Sequence, residues 1–372
     1  LNNDSDTTAT NLSAVLCPDI VSGNTDFLPT QEEDTNTDSV ILRAPSKTRV
    51  IHSMPVRSTP LDGAKVDISA ETQAKLKAIL LKSFSPIALS LLTSEEKEFI
   101  WDNRFNIMDK AAFLPAFIMS MSWENSERVQ EMYDILDLWA QSTPVQALQL
   151  LDRRFMDPKI RAYAVHRLED IDDEDLALYM LQLCQQLKFE NHVDSALSRF
   201  LLRRALRNLR LIGHIFFWFL QSEVYNTDVS RRYVTLLQIY LRKCEHHRVE
   251  LGHQMFVMRR LESVAEQVVN EGKSKGQRLE ILRTLLKSIV LPPEFQLPLN
   301  PHIKIKGIVP EKCRVMESKK KPLWLTLKDT EDRDIVLMLK VGDDLRQDAL
   351  TLQLLTVMDS LWKKEGLDMQ MM

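Results

Sequence analysis

The chain has 372 residues, 44% of them hydrophobic, enough to build a buried core and two or three domains. Its 48 Lys and Arg against 52 Asp and Glu leave a net charge of −4, which excludes a general attraction to nucleic acid. The four cysteines lack paired zinc-type spacing, as expected in a reducing cytoplasm, and neither a signal peptide nor a membrane-spanning run is legible.

Residues 1–42 hold eight acids and no Lys or Arg, amid many Ser, Thr and Asn, so an acidic, disordered segment is expected there. Pro45, Pro55 and Pro60 then punctuate a linker, and residues 1–69 are read as one non-globular region. From 70 to 290 the pattern is helical and start signals recur. Thr93 with Glu96 and Thr143 with Gln146 have capping-box spacing, and Asp157-Pro158 precedes the apolar face Ile160, Ala164, Val165 and Leu168. Leu176, Tyr179, Met180, Leu183 and Leu187 continue that face in the next helix. Short connections between amphipathic helices imply stacked helical hairpins, a solenoid-like array without a strict repeat.

After Pro292-Pro293 the period changes to short apolar strands at Ile303–Val309, Leu323–Leu327 and Ile335–Leu339, followed by a helix from about Leu345 to Lys364. A second, α+β domain is therefore expected over 291–372, covered only in its first part. Its strand Ile335–Leu339 runs into Lys340-Val341-Gly342-Asp343-Asp344-Leu345-Arg346-Gln347-Asp348. A lysine at a strand end can hold its ammonium over a phosphate as a compact point charge. Upstream, Ser318-Lys319-Lys320-Lys321 lies between two strands; alone such a run reads as a solvated turn, and the alternative is a phosphate-binding hairpin in which lysines supply charge and Ser318 a hydrogen bond without any glycine. Asp343 and Asp344 read either as a metal pair or as acids opening the helix, the second being the simpler.

Other groupings carry less. Arg199, Arg203, Arg204, Arg207 and Arg210 form a basic stripe that reads most simply as a solvated face, with contact to anionic lipid or an acidic domain surface as the alternative. His214 reads as a packed core residue. Cys244, His246, His247 and His253 lack a second half-site for zinc. His166-Arg167 with Asp170 echoes a kinase catalytic loop but falls inside a helical period.

The lysine segment, with the Met316–Trp324 hairpin before it, resembles the ATP-phosphate region of the phosphatidylinositol 3-/4-kinase superfamily. Leu92-Thr93 through Trp101, Leu187-Lys188-Phe189-Glu190, Asp194 through Leu202 and Gly213 through Trp218 resemble the helical domain of phosphatidylinositol 3-kinases. The resemblance covers about residues 70–372 and points to class I, most to its gamma type, with class II as the alternative within the family. It implies a mainly α accessory domain followed by the start of a protein-kinase-like N-lobe. The complete protein would transfer the ATP γ-phosphate to the inositol 3-hydroxyl of a membrane phosphoinositide. By resemblance, Lys340, Ser318 and Lys320 face the nucleotide phosphates, Met316, Pro322, Trp324 and Met338 line the pocket, and Asp348 is an acid within it.

ATP and Mg2+ are the implied cofactors. The implied partners are the lipid at a membrane surface, a regulatory subunit, G-protein subunits and a small GTPase, with the protein cytoplasmic and recruited to membranes. The Asp-Arg-His-x-x-Asn and Asp-Phe-Gly segments of the family do not occur, so no catalytic and no metal-binding residue is expected here and the chain alone should not turn over. The other functional class is a non-catalytic helical scaffold. One departure from the family is Arg210-Leu211-Ile212-Gly213-His214, one residue longer than the usual Arg-Ile-Gly-His. An extra residue rotates a helical face by about 100°, so a local bulge or loop must absorb it.

Overall fold

The computed structural model describes residues 69–371 apart from Lys273 and Asp344. The acidic stretch and linker expected over 1–69 thus lie, but for Ser69, outside the described residues, as does Asp344. The fold is mainly α with a small antiparallel sheet after the helices, the class expected from the sequence pattern. Two compact units are formed, one of residues 69–172 and 185–200, the other of residues 173–184 and 201–371.

Local start signals set the helices of the first unit. In α1 (Ala70–Ser83) the Ser69 hydroxyl accepts the Thr72 N–H, and α2 (Pro86–Ser90) follows. α3 (Ser94–Asp102) carries the Thr93–Glu96 capping box, a device worth about 1 kcal/mol. After α4 (Arg104–Ile107), α5 (Leu114–Met119) and α6 (Ser126–Leu138), the second box opens α7 (Pro144–Ala147) with Thr143, Gln146 and Pro144 as the sequence reads. The Asp157 carboxylate accepts the Lys159 and Ile160 amides to start α8 (Pro158–Leu168). Phe117 lies between Trp101 and Trp139, at centroid distances of 5.8 and 4.8 Å. His166 and Arg167 belong to α8, so the kinase-loop echo is a stretch of helix.

One residue on the buried face of α8 breaks the apolar pattern. The Arg161 guanidinium, 3% exposed, reaches the Glu190 carboxylate at 2.6 Å and donates to the carbonyls of Leu151, Phe155 and Gln186. Desolvating two charges costs several kcal/mol, and here fork geometry and backbone acceptors offset it.

In the second unit, α9 (Asp173–Gln186) contributes residues 173–184 and buries Leu176, Met180 and Leu183. α10 (Ala196–Arg207), of which residues 201–207 belong to this unit, carries Arg199, Arg203, Arg204 and Arg207 of the arginine stripe, which is not uniformly solvated. Arg204 is 7% exposed and pairs with Asp173 at 2.6 Å, and Asn208 donates to the same carboxylate at 2.9 Å. Asp173 lies 31 residues upstream, beyond the reach of a helical period, so the pairing is not legible in the local sequence.

The extra residue before Gly213 is absorbed as a π-helical turn, Leu209–Gly213, in which the Gly213 N–H reaches back to the Asn208 carbonyl at 2.8 Å. Only glycine fits its end: a Cβ on Gly213 would stand 2.2 Å from the Tyr240 hydroxyl oxygen and 2.7 Å from the Ala205 carbonyl oxygen. α11 (His214–Glu223), α12 (Ser230–Lys243), α13 (His247–Glu271) and α14 (Lys275–Ser288) follow. His214 is a core residue, as expected, and its Nε2–H donates to the Pro298 carbonyl at 2.7 Å. His247 is buried against the Tyr240 hydroxyl at 2.8 Å, while Cys244 is wholly buried.

The sheet comprises β1 (Phe295–Leu297), β2 (Asn300–Ile308), β3 (Arg314–Val315), β4 (Leu323–Asp329) and β5 (Asp334–Leu339), with α15 (Arg346–Lys364) after it. All pairings are antiparallel, and β4 pairs with β2, β3 and β5. Leu323, Leu325, Leu327, Leu337 and Leu339 point into one core with Val257, Leu261 and Val264 of α13 and Leu282 of α14. Each such side chain contributes about 1.5–3 kcal/mol by burial. Gln353 ties α15 to α9 through the Leu178 carbonyl at 2.6 Å.

Two outcomes are expected. Arg161→Met, which strands the Glu190 carboxylate, should lower unfolding stability by about 3–5 kcal/mol in urea, and adding Glu190→Leu should recover most of it. Burial, then the positive neighbours His214, His246 and Arg210, lower the His247 pKa to about 4. Unfolded chains then bind a proton that the folded chain refuses, so stability falls as pH drops from about 6.5 towards 4, by about 3 kcal/mol in all. In denaturant titrations at stepped pH, His247→Gln should flatten that acid slope.

Candidate functional site

The segment 316–322 joins β3 to β4 and closes without glycine. The Met316 N–H donates to the Pro322 carbonyl at 2.9 Å, the Ser318 N–H to Met316 and the Lys321 N–H to Ser318, both at 3.1 Å. Lys321 takes a left-handed φ of 48° to complete the turn. Its ammonium lies 3.3 Å from the Glu317 carboxylate, and that hydrogen bond holds the Glu317 carboxyl below the usual range. Pro322 is buried and Met316 half-buried, whereas Ser318 and Lys320 stand exposed at the tip.

Strand alternation decides what faces the loop. Leu323 and Leu325 of β4 pair with Leu339 and Leu337 of β5 on the core side, so Trp324 and its partner Met338 fall on the other face. Met338 is 46% exposed there. Arg314 pairs with Trp324 from β3, and its guanidinium lies 4.6 Å above the indole. The sequence pattern gave Arg314 no role at the site. Its place two residues before Met316, on the alternation that points at Trp324, is the signal that would have found it.

Lys340 leaves β5 half-buried, and its ammonium stands 3.9 Å from the Asp343 carboxylate, a long and weakly held pair. Gly342 turns the chain with a φ of +68°, a conformation that costs other residues about 1–2 kcal/mol. Lys320 of the loop donates to the Gly342 carbonyl, so the loop lysine meets the turn that follows Lys340. Lys320, Lys340, Trp324, Met338, Met316 and Pro322 thus gather around one sheet face and its turn. Asp348 is exposed on the first turn of α15, and among the described residues no hydrogen bond or ion pair joins it to the loop or to Lys340.

Chemically, ammonium and hydroxyl donors beside an open apolar and aromatic face suit an anionic phosphate attached to a flat ring. A carbonyl is a poorer acceptor for Lys320 than a phosphate oxygen, so such a ligand would draw that lysine from its resting partner. The same donor set does not suit a divalent cation, and no group of three or more His, Cys, Asp or Glu side chains that could hold a metal ion occurs among the described residues. No helix there is long and apolar enough to cross a membrane.

Comparison with known proteins places these features. Residues 64–253 match the phosphoinositide 3-kinase family accessory domain (PIK domain), and residues 334–372 match the phosphatidylinositol 3- and 4-kinase family, beginning at β5. Similar relatives come from Dictyostelium discoideum. Phosphatidylinositol 3-kinase 2 is 38% identical over 315 residues, covering 84% of this chain and 17% of the relative. Phosphatidylinositol 3-kinase 1 is 40% identical over 285 residues, with coverage of 76% and 18%. Phosphatidylinositol 3-kinase 3 is 35% identical over 308 residues, with coverage of 82% and 18%. The chain therefore spans less than a fifth of the length of these curated relatives. With the accessory-domain match covering half of its residues and the kinase match falling on the lysine segment, the chain belongs to the phosphoinositide 3-kinase family.

Proposed function

We propose that the chain is part of a phosphatidylinositol 3-kinase catalytic subunit that transfers the γ-phosphate of ATP to the inositol 3-hydroxyl of a membrane phosphoinositide. Residues 70–290 form its accessory helical domain and 291–372 the start of its kinase N-lobe. The observation that carries the reading is the meeting of the Lys320 ammonium with the Gly342 carbonyl, which brings a loop lysine to the turn following Lys340. Lys340 and Lys320 hold the phosphates as point charges, Ser318 adds a hydrogen bond, and Trp324 with Met338, Met316 and Pro322 offers the base an apolar surface. Asp348, exposed on the first turn of α15, supplies an acid at the pocket.

Phosphoryl transfer also needs Mg2+ to neutralise the charge on the transferring group, and its ligands are proposed to lie outside the described residues. Within the family we place the chain in class I near the gamma type, supported by Lys312-Cys313-Arg314-Val315-Met316 running into Ser318 through Trp324. The apolar Leu91-Leu92 before Thr93, where some class I enzymes carry acids that meet a regulatory subunit, favours regulation through G-protein subunits. A small GTPase and recruitment from the cytoplasm to the membrane complete the proposal.

The test is transfer of labelled phosphate from ATP to phosphatidylinositol vesicles by the full-length protein, with the phosphorylated position identified after deacylation. Lys340→Met should lower turnover by about 10²–10³-fold, the usual cost of removing one preorganised electrostatic group. A product phosphorylated elsewhere on the ring, or a Lys340→Met protein as active as its parent, would overturn the reading.

A further inference from the structure

The phosphate-facing loop is braced from the helical side of its own unit. Glu317, the residue after Met316, holds two cations. Lys321 reaches it from within the loop at 3.3 Å, and Arg278 on the first turn of α14 reaches it at 3.6 Å. Arg278 is itself fixed. Its side chain is 14% exposed, and one amino group donates to the Gly272 carbonyl at 3.2 Å. Gly272 is the only residue type that leaves it room, because a Cβ there would stand 2.2 Å from the Arg278 Cγ and 2.7 Å from the Val268 carbonyl oxygen. α14 begins with a full capping box, Ser274 with Gln277, so the turn bearing Arg278 is well defined. The loop end of the brace is equally defined, because Met316, Ser318 and Lys321 hydrogen-bond within it and Lys320 is tied to Gly342.

We propose that Arg278 is a positioning residue for nucleotide binding: through Glu317 it sets the place of the loop that presents Ser318 and Lys320, so that the end of the helical array is read out as affinity for ATP. The inference rests on the nucleotide site proposed above. Its logic is electrostatic as well as steric. Glu317 beside two lysines would weaken phosphate binding if it were free to approach the ligand, and Arg278 and Lys321 hold it aside and neutralise it. Movement of Arg278 away from Glu317 would release the acid towards the phosphates and slacken the loop together. Arg278 touches no substrate in this scheme.

The test measures KM for ATP and kcat of the full-length protein on phosphoinositide vesicles. Arg278→Gln, which both slackens the loop and frees the acid, should raise KM for ATP by about two- to fivefold, the range for a partly exposed ion pair, and Glu317→Gln, which only slackens the loop, by up to about twofold, with kcat and the lipid KM unchanged in both. The reversed pair, Arg278→Glu with Glu317→Arg, should return KM towards the parent value. Glu317 is on an exposed turn, so its isosteric variant tests the idea even where an Arg278 variant folds poorly. Single variants with parental KM, a loss confined to kcat, or a reversed pair worse than either single would overturn the brace, provided Lys320→Ala raises KM. Parental KM in both Lys320→Ala and Lys340→Met would instead overturn the nucleotide site on which it rests.

Discussion

Everything at the candidate site depends on which face of the sheet the helices cover. α13 and α14 present Val257, Leu261, Val264 and Leu282, and the leucines of β4 and β5 close on them. A strand shows alternate residues to opposite sides, so committing Leu323, Leu325, Leu337 and Leu339 to the core sends Trp324 and Met338 to the open side. A one-residue slip of β5 would expose two leucines and bury Met338 and Lys340, a loss of several kcal/mol from apolar burial alone before the lysine is considered. Hydrophobic packing thus selects the register, and the register selects the chemistry.

The charges work within limits set by that packing. Lys340 and Asp343 each keep about a third of the side chain in solvent and lie 3.9 Å apart, so neither strongly locks the other. This differs in kind from Arg161 with Glu190, where both groups are under a tenth exposed and the guanidinium also satisfies backbone carbonyls. The buried pair is structural, because no ligand can reach it and breaking it strands a charge. The exposed lysines suit exchange, since their resting partners are weak enough to give way to a phosphate.

Local signals were legible in the sequence and long-range pairings were not. Both predicted capping boxes and the Asp157 cap form because each needs only residues three apart. The helix over 346–364 and the three longer strands follow from the change in apolar period. β1 and β3, three and two residues long, are too short to show a period. The extra residue before Gly213 was legible as a strain that had to be absorbed, though only the structure shows a π turn against Tyr240. Arg204 read as solvated because Asp173 is remote in the chain, and Arg161 went unremarked because Glu190 is 29 residues away. At the site, motif and strand end pointed to the lysines and Trp324, while Arg314 and Glu317 act through partners on other elements.

The absence of glycine from the loop 316–322 has a physical consequence for how it can hold a phosphate. Glycine-rich loops cradle phosphates with free backbone amides. Here the amides of Met316, Ser318 and Lys321 are taken up in closing the loop, and Pro322 has none. With those amides committed, side chains at the tip of the proposed site, chiefly Ser318 and Lys320, whose ammonium is a mobile, well-hydrated charge, take a larger share of recognition. Such a loop gains its precision from whatever holds its backbone still rather than from the donors themselves. In this chain that role falls to the intraloop hydrogen bonds, to β4 in its enforced register, and to the acid that Arg278 and Lys321 share.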